Sequence, residues 1–282
     1  MRSHAHLAVL LILAAGTAPA FAAAPEPAPA ETKPAAAAPG PSASGLPMTA
    51  ATLGTMVGYK AGDETVRAYM AAPRGQGPRP GVVVIHEWWG LNDQIKGVAD
   101  KIALQGYNVL VPDLYRGKVA EEPDLAHELM RGLDEERAVG IIKGAVGYLK
   151  GLRGAAAMPV DTIGFCMGGG LSLATALAGA EVQGTVMFYG SVKTSEASVA
   201  PLRAPLLGLF GDEDRGIPVD DVKKFEAALK SAGKDASIVV YPHAGHAFMN
   251  EKRPSYVPDA AKDAWGRVTE FFGRTLKPKA GA

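Results

Sequence analysis

The chain has 282 residues, and its 29 lysine and arginine residues balance its 29 aspartate and glutamate residues. A chain with no excess of positive charge and no basic run is not expected to bind the phosphates of a nucleic acid. Its single cysteine excludes an internal disulfide, and its length suits one compact domain with a sizeable core.

The N-terminal segment differs in composition from the rest of the chain. A weakly positive start and an apolar run over 7–15, too short to span a bilayer, precede the small residues Ala20-Phe21-Ala22. We therefore expect 1–22 to be a signal peptide that directs export to the periplasm or the medium. Residues 23–49, rich in alanine and proline, are expected to form a disordered linker. Residues 50–282 are predicted to form the folded domain, which we expect to be monomeric and without a membrane span after cleavage.

Strand patterns alternate with helix patterns throughout the predicted domain. A hairpin comes first, and continuous apolar runs typical of strands buried on both faces follow. Because such strands alternate with helices, we predict an α/β fold with a mostly parallel central sheet and helices on both faces. The predicted strands are 54–60, 65–71, 81–86, 107–111, 160–165, 184–189, 205–210 and 237–241, and the predicted helices are 93–105, 134–152, a helix that follows the fifth strand and ends at 178, 219–232 and 258–275.

The single cysteine lies between a predicted strand and a predicted helix, in Gly164-Phe165-Cys166-Met167-Gly168. This G-x-C-x-G pattern is the nucleophile elbow of the α/β-hydrolase fold, with sulfur in place of the usual serine oxygen. A helix N-terminus at such a turn favours a thiolate and stabilises an oxyanion. The alternative is that Cys166 is a small buried apolar residue, but the flanking glycines favour a nucleophile.

Candidates for the acid and the base follow two later strands. In parallel sheets, the loops after the C-terminal ends of the strands build the active site. The loop after 210 has Asp212, Glu213 and Asp214, and the loop after 241 has His243 and His246. Cysteine, acid and histidine thus follow the chain order of α/β-hydrolases. Composition leaves the acid open among the three carboxylates, whereas for the base we favour His246, because the glycine before it allows a sharp turn.

The chain resembles the dienelactone hydrolase (carboxymethylenebutenolidase) family over about residues 55–275. Five separated motifs carry the resemblance and occur in the order of the family. They are His86-Glu87-Trp88-Trp89-Gly90-Leu91-Asn92, Pro112-Asp113-Leu114-Tyr115, Gly164-Phe165-Cys166-Met167-Gly168-Gly169, the segment 211–218, and Gly245-His246-Ala247-Phe248.

This resemblance implies a hydrolase that opens a lactone or cleaves a small ester through an acyl-thiol intermediate. No cofactor is expected, and the histidines are not spaced as the ligands of a metal. The resemblance selects Asp214 and His246 as the partners of Cys166 in a catalytic triad. It also implies that Glu87 contacts the resting thiol and switches it to the thiolate when substrate arrives. A thiol kept neutral at rest is a poor target for oxidants, which matters for a cysteine enzyme in an oxidising compartment.

The remaining site residues concern the oxyanion and the substrate. We expect the backbone N–H groups of Trp88 and Met167 to form the oxyanion hole. Trp89, Arg116 and Phe248 are candidates for substrate contacts.

Carboxylate recognition is the point at which the chain departs from the family. The family member that hydrolyses dienelactone holds the substrate carboxylate with two arginines. Arg116 matches the first with its register shifted by one, and Asn250 stands at the place of the second, shortly before Lys252 and Arg253. A general carboxylesterase for another small substrate is therefore an alternative. A hydrolase fold retained as a binding module is another, since a fold alone does not establish chemistry.

Overall fold

A computed structural model of the chain describes residues 54–74, 77–152 and 158–277. The predicted signal peptide and linker lie outside these residues, so both stay predictions. Within the described ranges, no helix combines the length and the apolar character that crossing a membrane requires.

One sheet organises the described chain, and its strands occur in the order β1-β2-β4-β3-β5-β6-β7-β8. β1 and β2 pair antiparallel with their neighbours, and β3 to β8 pair parallel. The strands are β1 Thr55–Ala61, β2 Glu64–Ala71, β3 Gly81–Ile85, β4 Asn108–Pro112, β5 Val160–Phe165, β6 Gly184–Phe188, β7 Leu206–Gly211 and β8 Ala236–Tyr241. The helices are α1 Asp93–Ala103, α2 Pro123–Arg131, α3 Glu135–Gly151, α4 Met167–Leu177, α5 Glu196–Val199, α6 Val219–Ser231 and α7 Pro258–Thr275.

The predicted α/β architecture is confirmed, and each predicted strand and helix forms with its ends shifted by at most about two residues. Two helices, α2 and α5, were not predicted. α2 has nine residues, begins with Pro123 in its first turn, and has Ala126 as its one fully buried residue. α5 is a single turn capped by the Ser195 hydroxyl.

Apolar side chains fill a core on each face of the sheet. Along β3, Val83 and Ile85 point into the core that also contains residues of α3, α4 and α6, whereas Val82 and Val84 point into the core that contains residues of α1 and α7. This alternation follows from the two-residue period of a strand. Each such side chain contributes about 1.5–3 kcal/mol when fully buried. The continuous apolar runs in the sequence are thereby explained, and polar side chains are left for the loops at the ends of the strands.

Candidate active site

Cys166 occupies a strained turn between β5 and α4. Its backbone has φ 55° and ψ −119°, and it caps the N-terminus of α4, a conformation that costs a residue with a Cβ about 1–3 kcal/mol. A Cβ at Gly164 would lie 1.9 Å from the carbonyl oxygen of Gly168, so the turn closes only because glycine stands there. The Cys166 N–H donates to Phe188 O at 3.0 Å and holds the turn against β6. The half-buried thiol is thereby presented at a helix N-terminus.

His246 and Asp214 come together from neighbouring loops. The His246 Nδ1 atom lies 2.7 Å from Asp214 Oδ2, and the side chain of Asp214 is 1% exposed. Asp214 Oδ1 accepts from the N–H groups of Gly216 and Ile217 at 2.8 and 3.1 Å. With both oxygens held, the carboxylate fixes Nδ1 as the protonated nitrogen and leaves Nε2 for another partner.

The other candidates for the acid and the base lie at the surface. Asp212 is exposed. His243 and Glu213 face each other at 3.5 Å with side chains that are 88% and 62% exposed. The structure therefore brings Asp214 and His246 to the elbow, and it places Asp212, Glu213 and His243 in solvent.

Burial and the neighbours of His246 act on its pKa in opposite directions. Burial disfavours the imidazolium, but the charge and the hydrogen bond of Cys166, together with the hydrogen bond to Asp214, outweigh burial and raise the pKa of His246 to about 11. The neighbouring sulfur and carboxylate thus favour the imidazolium form of His246. This arrangement can move a proton from a nucleophile to a base.

Glu87, in the loop after β3, is the centre of a buried hydrogen-bond network. Its Oε2 accepts from Asn250 Nδ2 at 2.8 Å, and its Oε1 accepts from the Tyr189 hydroxyl at 3.3 Å. Burial raises the pKa of Glu87, and the Asn250 hydrogen bond and the charge of His246 oppose that rise. Among the described residues, no hydrogen bond joins Glu87 to Cys166.

Two members of this network were not among the predicted site residues. Tyr189 directly follows β6, is 1% exposed and has φ 37°, and its ring meets the His246 ring edge-on with centroids 5.1 Å apart. Like the other site residues, Tyr189 stands at the C-terminal end of a parallel strand, where active-site residues are expected. Asn250 stands where the family member has an arginine. In the structure, its buried amide supports Glu87.

The predicted substrate contacts have different surroundings. Trp89 is largely buried beneath the Arg253 guanidinium, whose carbon lies 3.7 Å from the ring centroid. Arg116 Nε donates to Glu64 Oε1 at 3.1 Å at the β1–β2 hairpin, and its side chain is 70% exposed. Phe248 is completely buried and packs against the rings of Phe188, Tyr189 and Tyr241. It therefore belongs to the core and does not line an open pocket.

The expected oxyanion donors are the N–H groups of Trp88 and Met167. Met167 is the first residue of α4, where helix geometry leaves an N–H without an intrahelical acceptor. Within the described residues, the Trp88 N–H has no hydrogen-bond acceptor either. Trp88 is half-buried, and its ring makes T-shaped contacts with the rings of Trp89 and of His127 in α2, with centroids 4.9 and 4.6 Å apart.

A mostly parallel sheet with a nucleophile elbow, an acid loop and a histidine loop in that order defines an α/β-hydrolase. The sequence profile of the dienelactone hydrolase family matches residues 66–276. The chain belongs to the dienelactone hydrolase family.

Relatives and solved structures agree with this membership. The chain is 35% identical over 232 residues to protein usf of Aquifex pyrophilus, covering 79% of this chain and 100% of the relative. It is 33% identical over 233 residues to a protein of Aquifex aeolicus named "putative carboxymethylenebutenolidase", covering 80% and 100% of the two chains. A crystal structure from Klebsiella pneumoniae named "putative dienelactone hydrolase" superposes with a TM-score of 0.73 at 30% identity, covering 78% of this chain and 98% of that chain. The protein is a carboxylic ester hydrolase of the dienelactone hydrolase type.

Proposed function

We propose that the protein opens a lactone or cleaves a small ester by nucleophilic attack of Cys166. The observation that carries this proposal is the position of His246, whose Nδ1 lies 2.7 Å from Asp214 Oδ2 and whose pKa is raised by the charge and the hydrogen bond of Cys166. Nucleophile, base and orienting acid thus form one chain of contacts across three loops.

The reaction follows from this chain of contacts. The Cys166 thiolate attacks the carbonyl carbon, and the carbonyl electron pair moves to an oxyanion beside the N–H groups of Trp88 and Met167. The intermediate collapses and expels the ring or alcohol oxygen, which takes a proton from His246 Nε2. Water then attacks the acyl-thiol with His246 as general base. The carboxylic acid leaves, and the thiol is regenerated.

Glu87 is the proposed switch of the thiol. It contacts the thiol in the resting enzyme, and it bonds to Asn250 and Tyr189 when Cys166 has turned to His246. The hydrogen bonds of Glu87 in the structure are those expected of the second arrangement.

The charged side chains near the site indicate which groups the substrate carries. Arg253 is half-buried on Trp89 and has no ion-pair partner among the described residues. It is therefore the proposed contact for an anionic group of the substrate. Arg116 is exposed at the β1–β2 hairpin, where its Nε pairs with Glu64, and the amide of Asn250 donates to Glu87. One guanidinium instead of two favours a small ester or lactone with a single anionic group, and it keeps a general carboxylesterase as the second candidate.

Kinetics on two substrates side by side tests the proposal. Wild-type protein and Cys166→Ala are given a dienelactone and a short chromogenic ester, with Asp212→Asn as a matched surface control. We expect Cys166→Ala to lose turnover of both substrates, and the ratio of the wild-type rates separates a lactonase from a general esterase. Turnover that survives in Cys166→Ala contradicts the mechanism, and a wild-type protein inert to a full panel of lactones and esters supports a binding module.

A further inference from the structure

His86 joins two loops of the active site through a completely buried imidazole. It directly follows β3 and is 0% exposed. Its Nδ1 lies 2.6 Å from the carbonyl oxygen of Glu87, and its Nε2 lies 3.4 Å from the N–H of Leu114 in the loop after β4.

These two contacts determine the protonation of the ring. The Leu114 N–H can only donate, so Nε2 carries a free lone pair. The Glu87 carbonyl can only accept, so Nδ1 carries the proton. His86 is therefore a neutral imidazole that donates to Glu87 O. Burial lowers the pKa of His86, which keeps the ring neutral.

The acceptor of that bond belongs to the peptide unit that carries the Trp88 N–H. Glu87 O also accepts from Gly90 N–H at 3.2 Å, a longer contact than that of His86. A trans peptide is planar and points its C=O and its N–H in opposite directions, and the described chain has no cis peptide bond. Fixing the Glu87 carbonyl therefore fixes the direction of the Trp88 N–H.

The same segment packs directly on the elbow. A Cβ at Gly168 would lie 2.3 Å from the carbonyl oxygen of Ile85 and 2.6 Å from that of His86, so the end of β3 touches the first turn of α4. Tyr115 adds a second link, because its ring lies edge-on to His86 with centroids 5.1 Å apart and its hydroxyl donates to Met167 Sδ at 3.3 Å. The two expected oxyanion donors thus belong to backbone segments in contact.

We propose that His86 is a positioning residue of the oxyanion hole, aligning the Trp88 N–H with the Met167 N–H through its Nδ1–H···O=C bond to Glu87. This inference rests on the proposed acyl-thiol mechanism. Removing one donor from an oxyanion hole lowers kcat about 10²–10³-fold, and a donor that is present but misaligned is expected to lower it by about 10–100-fold.

Asparagine and glutamine separate the two contacts of the ring. In His86→Asn the amide nitrogen stands near the place of Nδ1 and keeps the donor to Glu87 O. In His86→Gln the amide stands near the place of Nε2 and keeps the contact to Leu114. We expect His86→Gln to lose about 10–100-fold in kcat, and His86→Asn to restore kcat to within about threefold of wild type.

Two readouts separate positioning from folding. Alkylation of Cys166 by iodoacetamide forms no oxyanion, so its rate should match that of wild type in every folded variant. The ratio of the rate on an oxo ester to the rate on its thiono analogue reports how well the Trp88 and Met167 N–H groups are aligned. This ratio should fall in His86→Gln and stay at the wild-type value in His86→Asn.

The outcomes discriminate between the two proposals. A wild-type enzyme without ester or lactone turnover refutes the proposed function. An active wild type with equal kcat and equal oxo-to-thiono ratios in His86→Gln refutes the inference alone. If His86→Gln does not fold, His86→Asn decides, because a fall in its oxo-to-thiono ratio overturns the role of the Nδ1 donor.

Discussion

His246 Nδ1 and Asp214 Oδ2 lie 2.7 Å apart, which joins the loop after β8 to the loop after β7. The loops meet closely, since a Cβ at Gly211 would lie 2.0 Å from Ala244 O. Backbone bonds from Asp212 N–H to Tyr241 O and from Glu213 N–H to Ala244 O, each 3.0 Å long, reinforce the junction. The histidine is thus oriented by backbone packing as well as by its acid.

Asp214→Asn is predicted to lower kcat by about 10³–10⁴-fold. The carboxylate of Asp214 keeps the proton of His246 on Nδ1, and an amide at this position does not enforce that tautomer. Steady-state kinetics on a short ester measures the loss. Asp212→Asn, an exposed neighbour in the same loop, should keep wild-type kcat. A larger loss of kcat in Asp212→Asn than in Asp214→Asn would show that Asp214 is not the acid of the triad.

Arg253→Leu is predicted to lower kcat/KM for an ester with a carboxylate by about 10–100-fold, the effect of a hydrogen bond to a charged group. A neutral ester of the same size should be affected much less. Arg267→Leu in α7 is the control, since its guanidinium is paired with Asp263 and its side chain is 45% exposed. Equal losses on the charged and the neutral ester would remove Arg253 from substrate recognition.

Asp161→Asn is predicted to stabilise the protein at neutral pH. Asp161 on β5 is completely buried, and burial raises its pKa from 3.8 to about 7 against the hydrogen bond from Thr275. The folded state therefore holds a proton that the unfolded state releases, so stability falls as pH rises from about 4 to about 7. Each pKa unit corresponds to about 1.4 kcal/mol.

Thermal unfolding between pH 4 and pH 8 checks this prediction. The fall in Tm over that range should be smaller in Asp161→Asn than in wild type. Asp263→Asn is the matched control on the surface, where the side chain is 51% exposed and pairs with Arg267. If the pH dependence of Tm in Asp161→Asn equals that of the wild type, the prediction that the buried Asp161 carboxyl is protonated in the folded state is refuted.

Export is predicted to remove residues 1–22. The mature chain should begin at Ala23 when the full sequence is expressed in a bacterium with a periplasm. Intact mass and N-terminal sequencing of the fractionated protein measure this. An intact Met1 in the cytoplasmic fraction would contradict the signal peptide.

The main elements and the triad candidates could be predicted because their signals are local. Apolar runs such as 81–85 identify strands covered on both faces, and the glycines around Cys166 identify the elbow. α2 was not predicted although its sequence is amphipathic, because it has nine residues and its pattern spans only about two and a half turns. Its position against Trp88 and Trp89 depends on tertiary packing.

The hydrogen-bond network around Glu87 could not be predicted from local patterns. Tyr189 is an aromatic residue at the end of an apolar strand, and such a residue usually belongs to the core. Asn250 is a neutral amide without a motif of its own. Their roles arise only where three loops bring them to one buried carboxyl, which sequence spacing does not encode.

Mass spectrometry of the enzyme during turnover tests most directly whether Cys166 is the nucleophile. A reaction with a slowly hydrolysed ester is quenched in acid, digested and measured by mass spectrometry, with Cys166→Ala in parallel. We predict an acyl group on the peptide that contains Cys166, released by hydroxylamine and missing from the variant. Because the chain has one cysteine, the thioester can be assigned without ambiguity. An acyl group on another residue, or undiminished turnover by Cys166→Ala, would contradict nucleophilic attack by Cys166.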